Sequence, residues 1–161
     1  MGHDELLKSS EFFADTSKEV LATIAAHGET RNLQRGDVLF KEGEKPESMY
    51  IVLSGRVAIA IGNRPLDSRE SMLALMERGD LFGELGLLDG GARSAMARAI
   101  EPSSVLQIPY EIVLEQLESN PSMLWGVTKL LAKRLRTMDE VLSDSVFLDV
   151  TGRTAKRLIE L

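Results

Sequence analysis

The sequence predicts a mainly β protein with flanking helices: an antiparallel jelly-roll-type β-barrel followed by a long α-helix. Short apolar or β-branched runs recur between residues 30 and 109, and glycine-containing turns separate them. Segments with helical spacing lie on either side of that stretch. The 161 residues are 43% hydrophobic and 27% charged, enough for one core of ordinary domain size and a helical extension.

The first zone, to about Gly28, reads as helical. Thr16-Ser17-Lys18-Glu19 has the form of a capping box, in which the Thr16 hydroxyl and the Glu19 carboxylate satisfy opposite backbone donors. Val20, Leu21, Ile24 and Ala25 follow at helical spacing, and Gly28 is a natural stop. His27 is expected at that helix end, interacting with the last carbonyls.

In the second zone the predicted strands are Val38–Phe40, Met49–Leu53, Val57–Ile61, Met72–Met76, Ala95–Ile100 and Val105–Ile108. Turns fall at Gly36-Asp37, Glu42-Gly43-Glu44, Ser54-Gly55, Gly62-Asn63 and Arg78-Gly79-Asp80. Strands this short at such regular intervals fit a β-sandwich or a barrel.

The third zone is helical again: Tyr110–Ser119, ended by Asn120-Pro121, and then a long helix from about Pro121 to Leu148. Its seam can be written with Leu124, Leu131, Met138 and Ser145 at one heptad position and Val127, Arg134, Val141 and Leu148 at the other. A flanking stripe of Thr128, Leu135 and Leu142 is expected to rest on the barrel. Two apolar stripes need two partners, and a parallel homodimer supplies the second; a single-sided helix packed on its own barrel is the alternative. Arg134 is the anomaly, since a cation at an interface costs stability unless it reaches solvent or meets an anion. Trp125 and Phe147 are expected as packing residues, and Lys129, Lys133, Arg136, Lys156 and Arg157 as a solvated face. From Asp149 to Leu161 a new helix is expected, capped by Asp149 or Thr151, with an apolar face at Ala155, Leu158, Ile159 and Leu161. It looks like the first helix of a second domain, cut short. The expected divisions are therefore 1–120, 121–148 and 149–161.

Composition narrows the function. The chain has no cysteine and only two histidines, His3 and His27, which argues against a disulfide framework, a thiolate metal site or a histidine-built metal centre. A net charge of -6 argues against nucleic-acid binding by this segment itself. No apolar run reaches membrane-spanning length and no signal peptide is recognised, so the cytoplasm is expected. No nucleophile stands beside a base and no carboxylates pair at a useful spacing, so no enzymatic activity is expected.

Phe82 to Met96 is the stretch that carries chemistry. Gly83, Gly86, Gly90 and Gly91 allow tight turns and a close backbone approach to a ligand. Leu85 to Leu88 fits one helical turn whose first amides face an anion. Arg93 supplies a fixed positive charge and Ser94 a hydroxyl donor. One Arg with backbone donors suits a monoanionic phosphodiester better than a triphosphate. Glu84, repelled by a phosphate, makes sense as an acceptor for a ribose hydroxyl, held by Arg93 or Arg134. A glycine-rich loop with a surface arginine accounts for the same residues.

Gly83-Glu84-Leu85-Gly86-Leu87, followed by Arg93-Ser94-Ala95, resembles the phosphate-binding cassette of cyclic-nucleotide-binding domains. Phe147 to Arg153 looks like the junction that leads into the DNA-binding domain of bacterial Crp/Fnr regulators, with the closest resemblance to the cyclic-AMP receptor branch. The turn glycines fit the same family, and the likeness runs from about residue 10 to the end.

That resemblance implies that Gly83 and Glu84 contact the ribose 2′-hydroxyl. It gives the cyclic phosphate to Arg93 and Ser94, includes Leu85 in the cassette, and puts Arg134 near the phosphate and the glutamate. The pattern departs at Ala92 and Met96, and above all at Met138-Asp139, where cyclic-AMP receptors carry a Thr-Ser pair that contacts adenine. Thr137 lies one residue earlier, and Asp139 can accept from the exocyclic amine of either purine. Cyclic AMP is therefore the expected ligand, with cyclic GMP second and no metal. The implied protein is a cytoplasmic homodimeric regulator that binds DNA through a domain beyond this segment. A stand-alone sensor module for a kinase or other effector is the alternative, and a cupin-type enzyme the third reading.

Overall fold

A computed structural model describes residues 2–61 and 72–160, with the side chains of the last helix described as far as residue 140 and at residue 142. The expected turn at Gly62-Asn63 lies outside the described residues. Two short helices come first, α1 (His3–Lys8) and α2 (Lys18–Ala26). The strands follow as β1 (Glu29–Leu33), β2 (Val38–Phe40), β3 (Ser48–Ser54), β4 (Val57–Ala60), β5 (Met72–Met76), β6 (Leu81–Phe82), β7 (Met96–Ala99) and β8 (Ser103–Pro109). Helix α3 (Leu85–Asp89) interrupts them, and α4 (Tyr110–Ser119) and α5 (Met123–Glu160) close the chain.

The pairing is nested and antiparallel: β1 with β8, β2 with β7, β3 with β6 and β4 with β5. Folding such a ribbon over on itself yields two four-stranded sheets, β1-β8-β3-β6 and β2-β7-β4-β5. This is the jelly-roll arrangement expected, realised as two facing sheets rather than a ring closed by hydrogen bonds. Period-two alternation fills the space between them. Leu33, Tyr50, Val52, Phe82 and Val105 come from the first sheet, and Phe40, Val57, Ala97 and Ala99 from the second. Burying each large side chain of this kind stabilises the fold by about 1.5–3 kcal/mol. The opposite residues of β3 and β8, Met49, Ile51, Leu106 and Ile108, are buried as well, as are Leu21 and Ile24 of α2 and Val113 of α4.

Several expectations change. Strand β1 was not foreseen, because Glu29-Thr30-Arg31-Asn32 is polar and exposed; pairing with β8 makes it a strand. The α2 cap is Ser17, whose hydroxyl accepts from Val20 N–H at 3.3 Å, so the capping box on Thr16 and Glu19 does not form. Thr16 is instead buried, at 1% exposure. At the other end His27 is the cap residue and its Nδ1 donates to the Thr23 carbonyl at 2.9 Å, as expected.

The long helix differs more. It continues from Met123 to Glu160 with no new start at Asp149. Asp149 and Thr151 are able to cap, but Asp149 to Leu161 contains no proline that would force a break. Among the described residues of α5, Met123, Gly126, Val127 and Leu130 are buried. The exposed ones include Leu124, Leu131, Leu135, Met138 and Leu142, with Thr128 at the intervening position. Those six positions alternate in steps of four and three, a single 3.5-residue seam. The flanking stripe of Thr128, Leu135 and Leu142 is thus part of the exposed seam, and Val127 is not. Arg134 is exposed beside that seam rather than in it, which removes the reason to infer an anion from its position. Trp125, expected to pack, is 64% exposed.

Candidate functional site

The segment after β6 is built around a sharp turn and one short helix. Gly83 has φ of 79°, a conformation that side chains with a Cβ rarely adopt. A Cβ at that position would also stand 2.8 Å from Arg93 Nη1. Glu84 caps α3, the helical turn expected from Leu85 onward, and the left-handed Gly90 ends it. The chain then runs beside the β2–β3 connection, where Arg93 N–H donates to Glu44 O (2.9 Å) and Gly43 N–H to Arg93 O (2.8 Å). This backbone pairing aims the Arg93 side chain inward.

The reading of Arg93 as a surface arginine fails, because the residue is only 8% exposed. Its guanidinium lies on the aromatic group at one end of the core, with its central carbon 4.0 Å from the Phe40 ring centroid. Tyr50 stacks on Phe82 beside it, their centroids 5.4 Å apart. Nη1 donates to Gly83 O at 2.9 Å and to the Tyr110 hydroxyl at 3.3 Å, and Nη2 donates to Ser48 O at 2.6 Å. The Tyr110 hydroxyl in turn donates to Gly83 O in a short hydrogen bond. In surroundings this poor in water each of these bonds is stronger than at the surface.

Glu84 is 5% exposed, so a carboxylate and a guanidinium are both held inside this corner. Burial raises the Tyr110 phenol above its ordinary value; the charge of Arg93 lowers it, and the charge of Glu84 raises it. Tyr110 therefore stays protonated at neutral pH and keeps its proton to donate. Ser94 is exposed, and Leu85 is 46% exposed at the first position of α3.

The structure thus brings Gly83, Glu84, Leu85, Arg93 and Ser94 into one corner of the first compact unit, residues 1–126. Arg134, Met138 and Asp139 belong to α5 in the second unit, residues 127–161, and all three are exposed. Sequence reasoning missed Tyr110 and the Ser48 carbonyl. The first was read only as the start of an amphipathic helix, and a backbone acceptor leaves no mark on the sequence. A tyrosine between a predicted strand and a predicted helix was the available signal, since a buried phenol seeks a partner.

A jelly roll with a glycine-rich turn, a short helix and a buried arginine is the arrangement of a small-ligand module, and comparison with known proteins agrees. The Cyclic nucleotide-binding domain family matches residues 30–120. The CRP-like cAMP-activated global transcriptional regulator of Mycobacterium tuberculosis (strain ATCC 25618 / H37Rv) is 32% identical over 158 residues, covering 98% of this chain and 70% of that protein. The cAMP-activated global transcriptional regulator CRP of Pasteurella multocida is 36% identical over 124 residues, which cover 76% of this chain and 58% of the relative. Among solved structures, the catabolite activator protein of Thermus thermophilus superposes with a TM-score of 0.70 at 33% identity, covering 83% of this chain and 62% of the other. The chain belongs to the cyclic nucleotide-binding domain family, in the branch of the CRP-like transcriptional regulators. It spans between about three fifths and seven tenths of the length of these relatives.

Proposed function

We propose that this chain is the sensing part of a transcription regulator and that it binds cyclic AMP, with cyclic GMP the second choice. The observation that supports this best is Arg93, a guanidinium seated inside a glycine-rich turn beside Glu84. In this reading Arg93 and Ser94 hold the cyclic phosphate. The Gly83 backbone and the Glu84 carboxylate take the ribose 2′-hydroxyl, and Leu85 contributes to the helical turn beside them. The family resemblance adds Arg134 for the phosphate and Met138 and Asp139 for the base.

The exposed 3.5-residue seam of α5 supports a homodimer, because a second copy of the helix would cover it. DNA binding belongs to a domain of the whole regulator rather than to this segment, whose net charge is -6. The relatives are named as transcriptional regulators, which favours this reading over a kinase-linked sensor and over an enzyme. No described helix is long and apolar enough to cross a membrane, and a cytoplasmic regulator is in keeping with that.

Calorimetric titration with cyclic AMP and with cyclic GMP tests the reading. Binding of cyclic AMP well below millimolar, and tighter than cyclic GMP, is expected. Failure to bind either one more tightly than millimolar, about -4 kcal/mol, would sink it.

A further inference from the structure

We propose that Tyr110 is a latch on the phosphate-binding arginine: a positioning residue that competes with the ligand for Arg93 and so sets how fast and how tightly a cyclic nucleotide is captured. The inference rests on the cyclic-nucleotide reading above and adds a residue to it.

Arg93 is not a cation waiting in a cleft. Nη1 is already shared between Gly83 O (2.9 Å) and the Tyr110 hydroxyl (3.3 Å), while Nη2 is held by Ser48 O (2.6 Å). A phosphate is best held by two parallel N–H donors of one guanidinium. In the observed conformation three of the five guanidinium N–H donors serve the protein's own oxygens, so a phosphate that takes the Nη1–Nη2 edge has to win at least one of them away.

Gly83 O and Ser48 O are fixed by the backbone, and each is a main-chain acceptor that any sequence would supply. Tyr110 is different, because it is a side chain and it acts on both partners. It accepts from Arg93 and donates to Gly83 O, which closes a three-membered ring of contacts. Opening that ring costs two bonds made by one hydroxyl.

The position of Tyr110 gives the latch a reach beyond Arg93. It is the first residue of α4, and its own N–H is anchored on Glu47 O at 2.8 Å. A Cβ added at Gly86 of α3 would lie 3.0 Å from its hydroxyl. One phenol therefore touches the turn, the short helix and the arginine of the cassette from the end of a different helix. The phenol is held protonated by burial, so the ring is intact across the neutral range.

Tyr110→Phe keeps the ring of the side chain and deletes only the hydroxyl. Arg93 retains its bonds to Gly83 O and Ser48 O, so the variant is expected to fold with a Tm within a few degrees of the parent. Association and dissociation rates on immobilised cyclic AMP are compared for the two proteins. The latch predicts an association rate raised about fivefold, the factor that one net hydrogen bond is worth, with the dissociation rate changed less than twofold. A merely structural tyrosine would lower Tm and speed dissociation without speeding association. An unchanged or slower association rate in Tyr110→Phe, with the parent binding normally, overturns the latch and leaves the cyclic-nucleotide reading standing. A parent protein that does not bind immobilised cyclic AMP overturns both.

Discussion

Around Arg93 three donors reach carbonyls and a phenol of the same chain, whereas along α5 the five large apolar side chains of the seam, Leu124, Leu131, Leu135, Met138 and Leu142, stand 42–61% exposed. The two regions teach opposite lessons about what each still needs. In the cassette, polar groups buried in a low-dielectric corner would each cost about 1–3 kcal/mol if left unpaired, and the chain has paired Arg93 with itself. A ligand that takes the Nη1–Nη2 edge of Arg93 must replace existing bonds. On α5 nothing polar is at stake, but an apolar stripe at 3.5-residue spacing is unfinished in a single chain. A partner there replaces only water. The cassette is a site of exchange, and the helix a site of completion.

The largest effect should come from breaking the helix side alone. Leu131→Asp with Leu135→Asp puts charges into the seam, and each lost leucine burial is worth about 1.5–3 kcal/mol, counted twice in a symmetric pair. Sedimentation equilibrium is expected to show dimer dissociation increased at least a hundredfold. An unchanged dimer would mean that the exposed stripe is not the interface. Next comes the cassette side. Gly83→Ala adds a Cβ at positive φ, 2.8 Å from Arg93 Nη1, and so both strains the turn and shifts the guanidinium. A stability loss of about 1–2 kcal/mol in urea unfolding is expected, with cyclic AMP affinity reduced about tenfold, as a misplaced charge-assisted bond of ~1.4 kcal/mol or more implies. The smallest effect, about fivefold and in the opposite direction, is that of Tyr110→Phe on association.

How much of this was legible in the sequence follows the same division. Strands β2, β3, β4, β5, β7 and β8 announced themselves as apolar runs between turn residues, because their alternation is what the core selects. Strand β1 is held by its ladder with β8 and shows no such pattern, and β6 has only two residues. Gly83, Glu84, Arg93 and Ser94 could be picked out because glycine spacing and an Arg-Ser pair are local signals. Tyr110 carried only the weak signal of a tyrosine at a strand–helix junction, and nothing local names its partners, since it meets Arg93 across 17 residues of chain and Gly83 across 27.

The helix seam shows a subtler limit. Leu124 and Leu131 admit a partner position either three or four residues on, and periodicity alone does not choose between Val127 and Thr128. Burial chooses, because Val127 is only 4% exposed. That single residue moves Arg134 out of the seam and undoes the argument that an anion must sit beside it. The case for an anionic ligand consequently rests on Arg93.

A paired calorimetric titration of the parent protein and Arg93→Ala with cyclic AMP, alongside circular dichroism of both, tests that case most directly. Two charge-assisted bonds to the phosphate, at about 1.5–3 kcal/mol each, predict an affinity loss of a hundredfold or more with the β-rich spectrum preserved. Equal affinity in the two proteins would contradict the account.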